Sequence, residues 1–147
     1  EIHHGIIAEM KALLPNMLKG HKFEQLWSFN YNNKQETGIE MHADFAQVNV
    51  NFWLTPDKFN KDQGDGGLKI YTIPAPDEWN FIDYNTRNIE MNEIVKNYKN
   101  KFINVPYKYN RAVIFDSSLF HETQRLAFED CYEGRRINST ILFGNRY

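Results

Sequence analysis

The sequence predicts a mainly β fold, and three features carry that prediction. Val48-Asn49-Val50-Asn51-Phe52-Trp53-Leu54 follows the strand period of two, which puts Val48, Val50, Phe52 and Leu54 on one face and Asn49, Asn51 and Trp53 on the other. Residues 112–115, 119–123 and 137–143 are short apolar runs, the last rich in β-branched residues. The aromatic share of 15% is high and suits a well-filled β interior.

Taken in order, Ile2, Ile6, Ile7, Met10, Leu13, Leu14 and Met17 recur at helical spacing, predicting an N-terminal amphipathic helix that Pro15 breaks and Gly20 stops. Residues 23–31 alternate imperfectly as a strand and Asn32-Asn33-Lys34-Gln35 reads as a turn, so a hairpin leading into residues 38–45 is expected. Residues 55–67 have a loop composition, and residues 68–73 resume as a strand ended by Pro74 and Pro76. Between Asp77 and Phe102 the period changes, with Ile89, Val95 and Tyr98 predicting a short helix; residues 77–102 are read as a helical insertion. Roughly seven or eight strands flanked by helices fit a double-sheet jelly roll or a related barrel closed over an interior site. A parallel α/β fold is disfavoured, because helices do not alternate with strands.

A chain of 147 residues suits one domain spanning 1–147. It opens on Glu1 instead of a methionine, which leaves open a processed form or part of a longer protein with an upstream segment. Seventeen basic against 19 acidic residues leave a formal charge of -2, which offers no general attraction to nucleic acid or to anionic membranes. The single cysteine, Cys131, leans towards a reducing, cytoplasmic compartment. No apolar run approaches the ~20 residues that span a bilayer. Oligomeric state is open.

His42-Ala43-Asp44 sets an imidazole and a carboxylate on the same side of an extended segment, where both can reach one ion. By itself the spacing is ambiguous, since an Asp near a His often only orients the ring or caps a turn. The second element is Ala112-Val113-Ile114-Phe115-Asp116-Ser117-Ser118-Leu119-Phe120-His121, an apolar strand running into a small polar turn that presents a histidine. His42, Asp44 and a distant His121 would cap one face of an octahedral ion and leave the other face open, as a catalytic iron site requires.

The third element is Arg135-Arg136-Ile137-Asn138-Ser139-Thr140. Arg136 and Thr140 share strand parity, so both can point inwards and grip a carboxylate with paired guanidinium donors. Two surface arginines solvating a strand remain the competing reading.

The ordered set His42-x-Asp44, His121 and Arg136 resembles the non-haem iron(II)- and 2-oxoglutarate-dependent dioxygenases over roughly residues 31–143, most of the chain. Thr37-Gly38-Ile39-Glu40-Met41-His42-Ala43-Asp44 looks like the approach to the metal in the prolyl-hydroxylase branch. Phe52-Trp53-Leu54-Thr55-Pro56 and Phe115 through Thr123 look more like bacterial members of phytanoyl-hydroxylase-like type. The resemblance implies a double-stranded β-helix, cupin-like in architecture, with iron(II) on His42, Asp44 and His121. It also implies 2-oxoglutarate as co-substrate, its far carboxylate on Arg136 and Thr140, with Tyr31 at the place of a tyrosine that contacts the same group. Asn51 and Trp53 either line the pocket or pack. Oxygen would then drive hydroxylation of a small-molecule or amino-acid-like substrate, with release of succinate and CO2.

Other features are read as structural. His3, His4 and His21 lack spaced partners for a second metal. Glu122 should face away from His121, Asp116 should brace the turn before it, and Lys96, Lys99, Lys101 and Lys108 suit a solvated face. Arg111 and Arg125 are alternative carboxylate partners. Two rival classes stand beside the oxygenase: a non-catalytic jelly-roll binding module, and a cupin-type metalloenzyme, which typically uses more histidine ligands and no clamp arginine.

Overall fold

The computed structural model describes residues 2–31, 38–99 and 101–146, and it is mainly β. Helix α1 (Ile2–Leu13) ends where Leu14 leaves the helical region at φ -123° and ψ 51°, as a residue before proline tends to, and Pro15 opens the one-turn α2 (Pro15–Leu18). The strands are β1 (Phe23–Asn30), β2 (Ala46–Trp53), β3 (Leu68–Pro74), β4 (Phe102–Val105), β5 (Arg111–Asp116), β6 (Leu119–Thr123) and β7 (Ile137–Asn145). Helices α3 (Asp83–Thr86) and α4 (Asn88–Asn97) fall between β3 and β4, inside the expected insertion. None of the described helices is long and apolar enough to cross a membrane.

Two antiparallel sheets form, one with order β1-β7-β2-β5 and one with order β4-β3-β6. The face of β2 that alternation assigns to packing carries Val50, which joins Ile141 and Phe143 of β7 against Ile7, Met10 and Leu18 of the N-terminal helices. Each such fully buried apolar side chain stabilises the fold by roughly 1.5–3 kcal/mol. On β3, Tyr71 and Ile73 face the other way from Leu68 and Ile70 and pack with Phe120 beneath Tyr84, Met91 and Val95 of α3 and α4. Between the sheets lies a third cluster of Trp53, Leu68, Ile70, Tyr107, Leu126 and Phe128. Beside it, Asn49 and Asn51 of β2 line a cavity whose walls are both polar and aromatic.

Two expectations need correcting. Residues 38–45 do not form the second strand of a hairpin with β1: β1 pairs antiparallel with β7, Trp27 opposite Thr140 and Ser28 opposite Ser139. The anticipated turn at 32–35 lies outside the described residues. The insertion also stops being helical before its expected end, since Phe102 begins β4 and pairs with Tyr71 of β3. Four short residues ahead of Pro106 gave too brief an alternation to read as a strand.

Candidate metal centre

His42 and His121 are opposed in an isolated antiparallel bridge and exchange both backbone hydrogen bonds, His42 N–H to the His121 carbonyl at 3.0 Å and His121 N–H to the His42 carbonyl at 2.8 Å. Directly opposed residues of an antiparallel pair project to the same side, which brings the two rings to 4.3 Å between centroids. Asp44 is anchored separately, its N–H donating to the Ser117 carbonyl at 2.9 Å. Ala43 between them is fully buried and packs in the cluster beneath α3 and α4. The segment is not a regular strand, yet His42 and Asp44 both line one cavity.

Each imidazole is oriented by its own chain. His42 Nδ1 lies 2.7 Å from the Glu40 carbonyl and His121 Nδ1 lies 2.9 Å from the Leu119 carbonyl. A carbonyl only accepts, so Nδ1 carries a proton in both rings and Nε2 is the nitrogen left to face a metal. His121 Nε2 stands 3.5 Å from Asp44 Oδ2, and the three candidate ligand atoms all fall within 4.8 Å of one another. Donors at ~2.1 Å from a common ion stand about 3–4 Å apart, so small rotations close the set. This His-Asp-His group can bind a metal ion.

The electrostatics suit a cation. Burial, reinforced by neighbouring His121, pushes the His42 imidazole down to about 4, against the opposing influence of Asp44 and of the Glu40 carbonyl. At neutral pH His42 is therefore an uncharged ligand. For Asp44 burial alone would raise the carboxyl, but its contacts with His121, His42 and Asn49 outweigh that and hold it below the ordinary carboxylate value.

Arg136 enters the same cavity from the start of β7 and is 1% exposed. Its Nε donates to the Gly66 carbonyl at 2.8 Å and one Nη to Asn138 Oδ1 at 2.7 Å. The guanidinium lies over the rings of Tyr31 and Tyr107 at 5.1 and 5.6 Å from their centroids. Burial lowers its pKa, and the two phenols oppose that shift. Among the described residues no carboxylate pairs with it. An isolated buried charge is costly, and neutral acceptors offset only part of that cost. The Tyr31 hydroxyl is buried and interacts with this guanidinium, while Asn51 Nδ2 donates to Thr140 Oγ1 at 2.8 Å in the same cavity.

The triad, Arg136, Thr140, Tyr31 and Asn51 thus share one cavity of about 340 Å³, within the usual range for small-ligand pockets. Trp53 does not belong to it. It is fully buried and stacked on Tyr107 at 5.2 Å between centroids, because its position one step further along the strand lies in the apolar cluster past the end of the cavity. Arg111 donates to the Pro106 carbonyl and Arg125 pairs with Asp62 and Asp65, so neither competes with Arg136. Glu122 faces away from the cavity to Lys69 and Tyr71, and Asp116 accepts from Ser118 N–H in the turn.

Two of the lining residues that the sequence did not single out position the recognised ones. Asn49 donates from Nδ2 to Asp44 Oδ2 at 2.6 Å, and Asn138 holds Arg136. Both share strand parity with residues that were recognised, Asn51 in one case and Arg136 with Thr140 in the other, and that parity was the available signal. No protein-family model matches the chain, and a search of curated proteins finds no match either.

Proposed function

We propose that this protein is an iron(II)- and 2-oxoglutarate-dependent oxygenase on a double-stranded β-helix scaffold, hydroxylating a small-molecule or amino-acid-like substrate. The observation that carries the reading is Arg136: a buried guanidinium with no carboxylate partner among the described residues, in the same cavity as the His42, Asp44 and His121 group. Those three residues suit iron(II) by donor type, two imidazoles and one carboxylate that leave other coordination positions to the cavity. Arg136, Thr140 and the buried Tyr31 hydroxyl suit the far carboxylate of a dicarboxylic acid.

When bound, iron and 2-oxoglutarate supply with O2 the chemistry in which a C–H bond becomes C–OH while 2-oxoglutarate is converted to succinate and CO2. The chain's own part is positional. The Glu40 and Leu119 carbonyls fix the two histidine rings, Asn49 holds Asp44, and Gly66 with Asn138 aims the guanidinium. The apolar cluster of Trp53, Tyr107 and Leu68 packs beside the cavity, which Leu68 also lines.

A binding module with the same scaffold has no use for a buried cation beside a metal set, and a cupin-type site would call for more histidines than His42 and His121. Incubation with iron(II), 2-oxoglutarate and air should release succinate, slowly even without substrate, and His121→Ala should release none. Iron-loaded wild type that forms no succinate under any substrate screen contradicts the proposal.

A further inference from the structure

Asn49 is 1% exposed and lines the cavity beside the metal-binding atoms. Its orientation is fixed by chemistry: Asp44 is an acceptor, so the Asn49 atom 2.6 Å from Asp44 Oδ2 must be the amide nitrogen. The amide oxygen is therefore the other atom, and Asn49 Oδ1 is buried without a hydrogen-bond partner among the described residues. An unsatisfied buried carbonyl costs ~1–3 kcal/mol, and only a donor relieves it. Neither the carboxylates nor the keto group of 2-oxoglutarate can donate.

The remaining walls narrow the class of donor. Trp27, Phe29, Phe45 and Phe81 line the cavity, with Phe29 36% and Phe81 56% exposed, so aromatic surface stands open to an entering molecule. Among the described residues the ionic groups that line it are the triad and Arg136. If those are committed to metal and co-substrate, as the proposed function has it, none of the described ones remains to pair a charge on a third molecule.

We infer that the substrate is an uncharged molecule with a planar apolar body and an amide N–H or hydroxyl group, and that this group donates to Asn49 Oδ1 while the body lies against the aromatic wall. Asn49 is then both the positioning residue of Asp44 and the residue that reads the substrate. This rests on the oxygenase reading for the neutrality of the substrate, but its test needs neither iron nor turnover.

The test is residue-resolved NMR on the whole chain with matched probes: benzamide and benzyl alcohol, which donate, against N,N-dimethylbenzamide and benzyl methyl ether, which do not. The donors should shift the Asn49 side-chain amide and the Trp27 indole resonances saturably, with at least tenfold tighter binding than their methylated counterparts. Benzoate should move the Arg136 Nε–H resonance instead. Asn49→Leu should erase the discrimination between donor and methylated probe; should that variant not fold, the wild-type pairs alone decide. Equal affinity within the pairs, or benzoate seated at Asn49, would overturn the inference. Succinate formation is measured separately, so failure of the inference and failure of the oxygenase reading are distinguishable.

Discussion

His42 and His121 are joined through their backbones, each donating its N–H to the other's carbonyl, at 3.0 and 2.8 Å. The two rings are thus held together by bonds that no side-chain substitution removes. His121→Ala should abolish metal binding, read by calorimetry with iron(II) under anaerobic conditions or with cobalt(II), while circular dichroism of the metal-free chain stays close to wild type. Collapse of the β signal in that variant would mean the imidazole, and not the bridge, organises the site.

The pH dependence follows from His42. Its pKa of about 4 in the folded chain lies below the 6.5 of the unfolded chain, so between those values the unfolded chain binds more protons. The contribution is fully present above about pH 6.5 and is lost as pH falls towards 4, by roughly 3 kcal/mol at most. Urea melts of the metal-free protein at pH 7 and pH 5 should register the loss, and His42→Gln should flatten it. Asp44, whose carboxyl is held below its ordinary value, would contribute only at lower pH. A wild-type melt unchanged across this window rules out the burial argument for His42.

Arg136→Ala should weaken 2-oxoglutarate binding by about 10–100-fold, the loss expected of one or more charge-assisted hydrogen bonds, with metal affinity retained. Gly66→Ala tests the anchor from the other side. Gly66 has φ +82° and its carbonyl accepts from Arg136 Nε, so a side chain there strains the backbone that aims the guanidinium. Calorimetry should find 2-oxoglutarate binding reduced in both variants; unchanged affinity in Arg136→Ala removes Arg136 from the site.

Trp53 belongs to stability. Trp53→Ala should cost ~3–5 kcal/mol in a denaturant melt, as deletion of a fully buried aromatic does. Trp53→Phe keeps most of the packing and should leave 2-oxoglutarate affinity within about twofold, a difference below ~0.5 kcal/mol. A large affinity change in Trp53→Phe would return this residue to the pocket.

What could be read from the sequence was what short-range periodicity encodes. The alternation of Val48 to Leu54 separated a packing face from a polar one, and Val50 and Asn51 occupy those faces in the structure. The same alternation could not tell where along the polar face the cavity ends, so Trp53 was grouped with Asn51. Partner choice was equally hidden. Nothing local to residues 23–31 says that they pair with β7 and not with the segment that follows, because that choice depends on where distant apolar faces find cover. That His42, Asp44, His121 and Arg136 share one site was legible as residue types in order. The bridge between His42 and His121, the Asn49 brace and the Gly66 anchor were not, since each joins residues brought together only by folding.

The most direct test of the central claim, that one cavity holds a metal and a dicarboxylate together, is an anaerobic spectroscopic titration. Iron(II) is added to the protein first and 2-oxoglutarate second. A weak visible charge-transfer band that appears only when both are present, saturates with 2-oxoglutarate and is absent in His121→Ala is the predicted result. Iron demonstrably bound, with no band at any 2-oxoglutarate concentration, contradicts it.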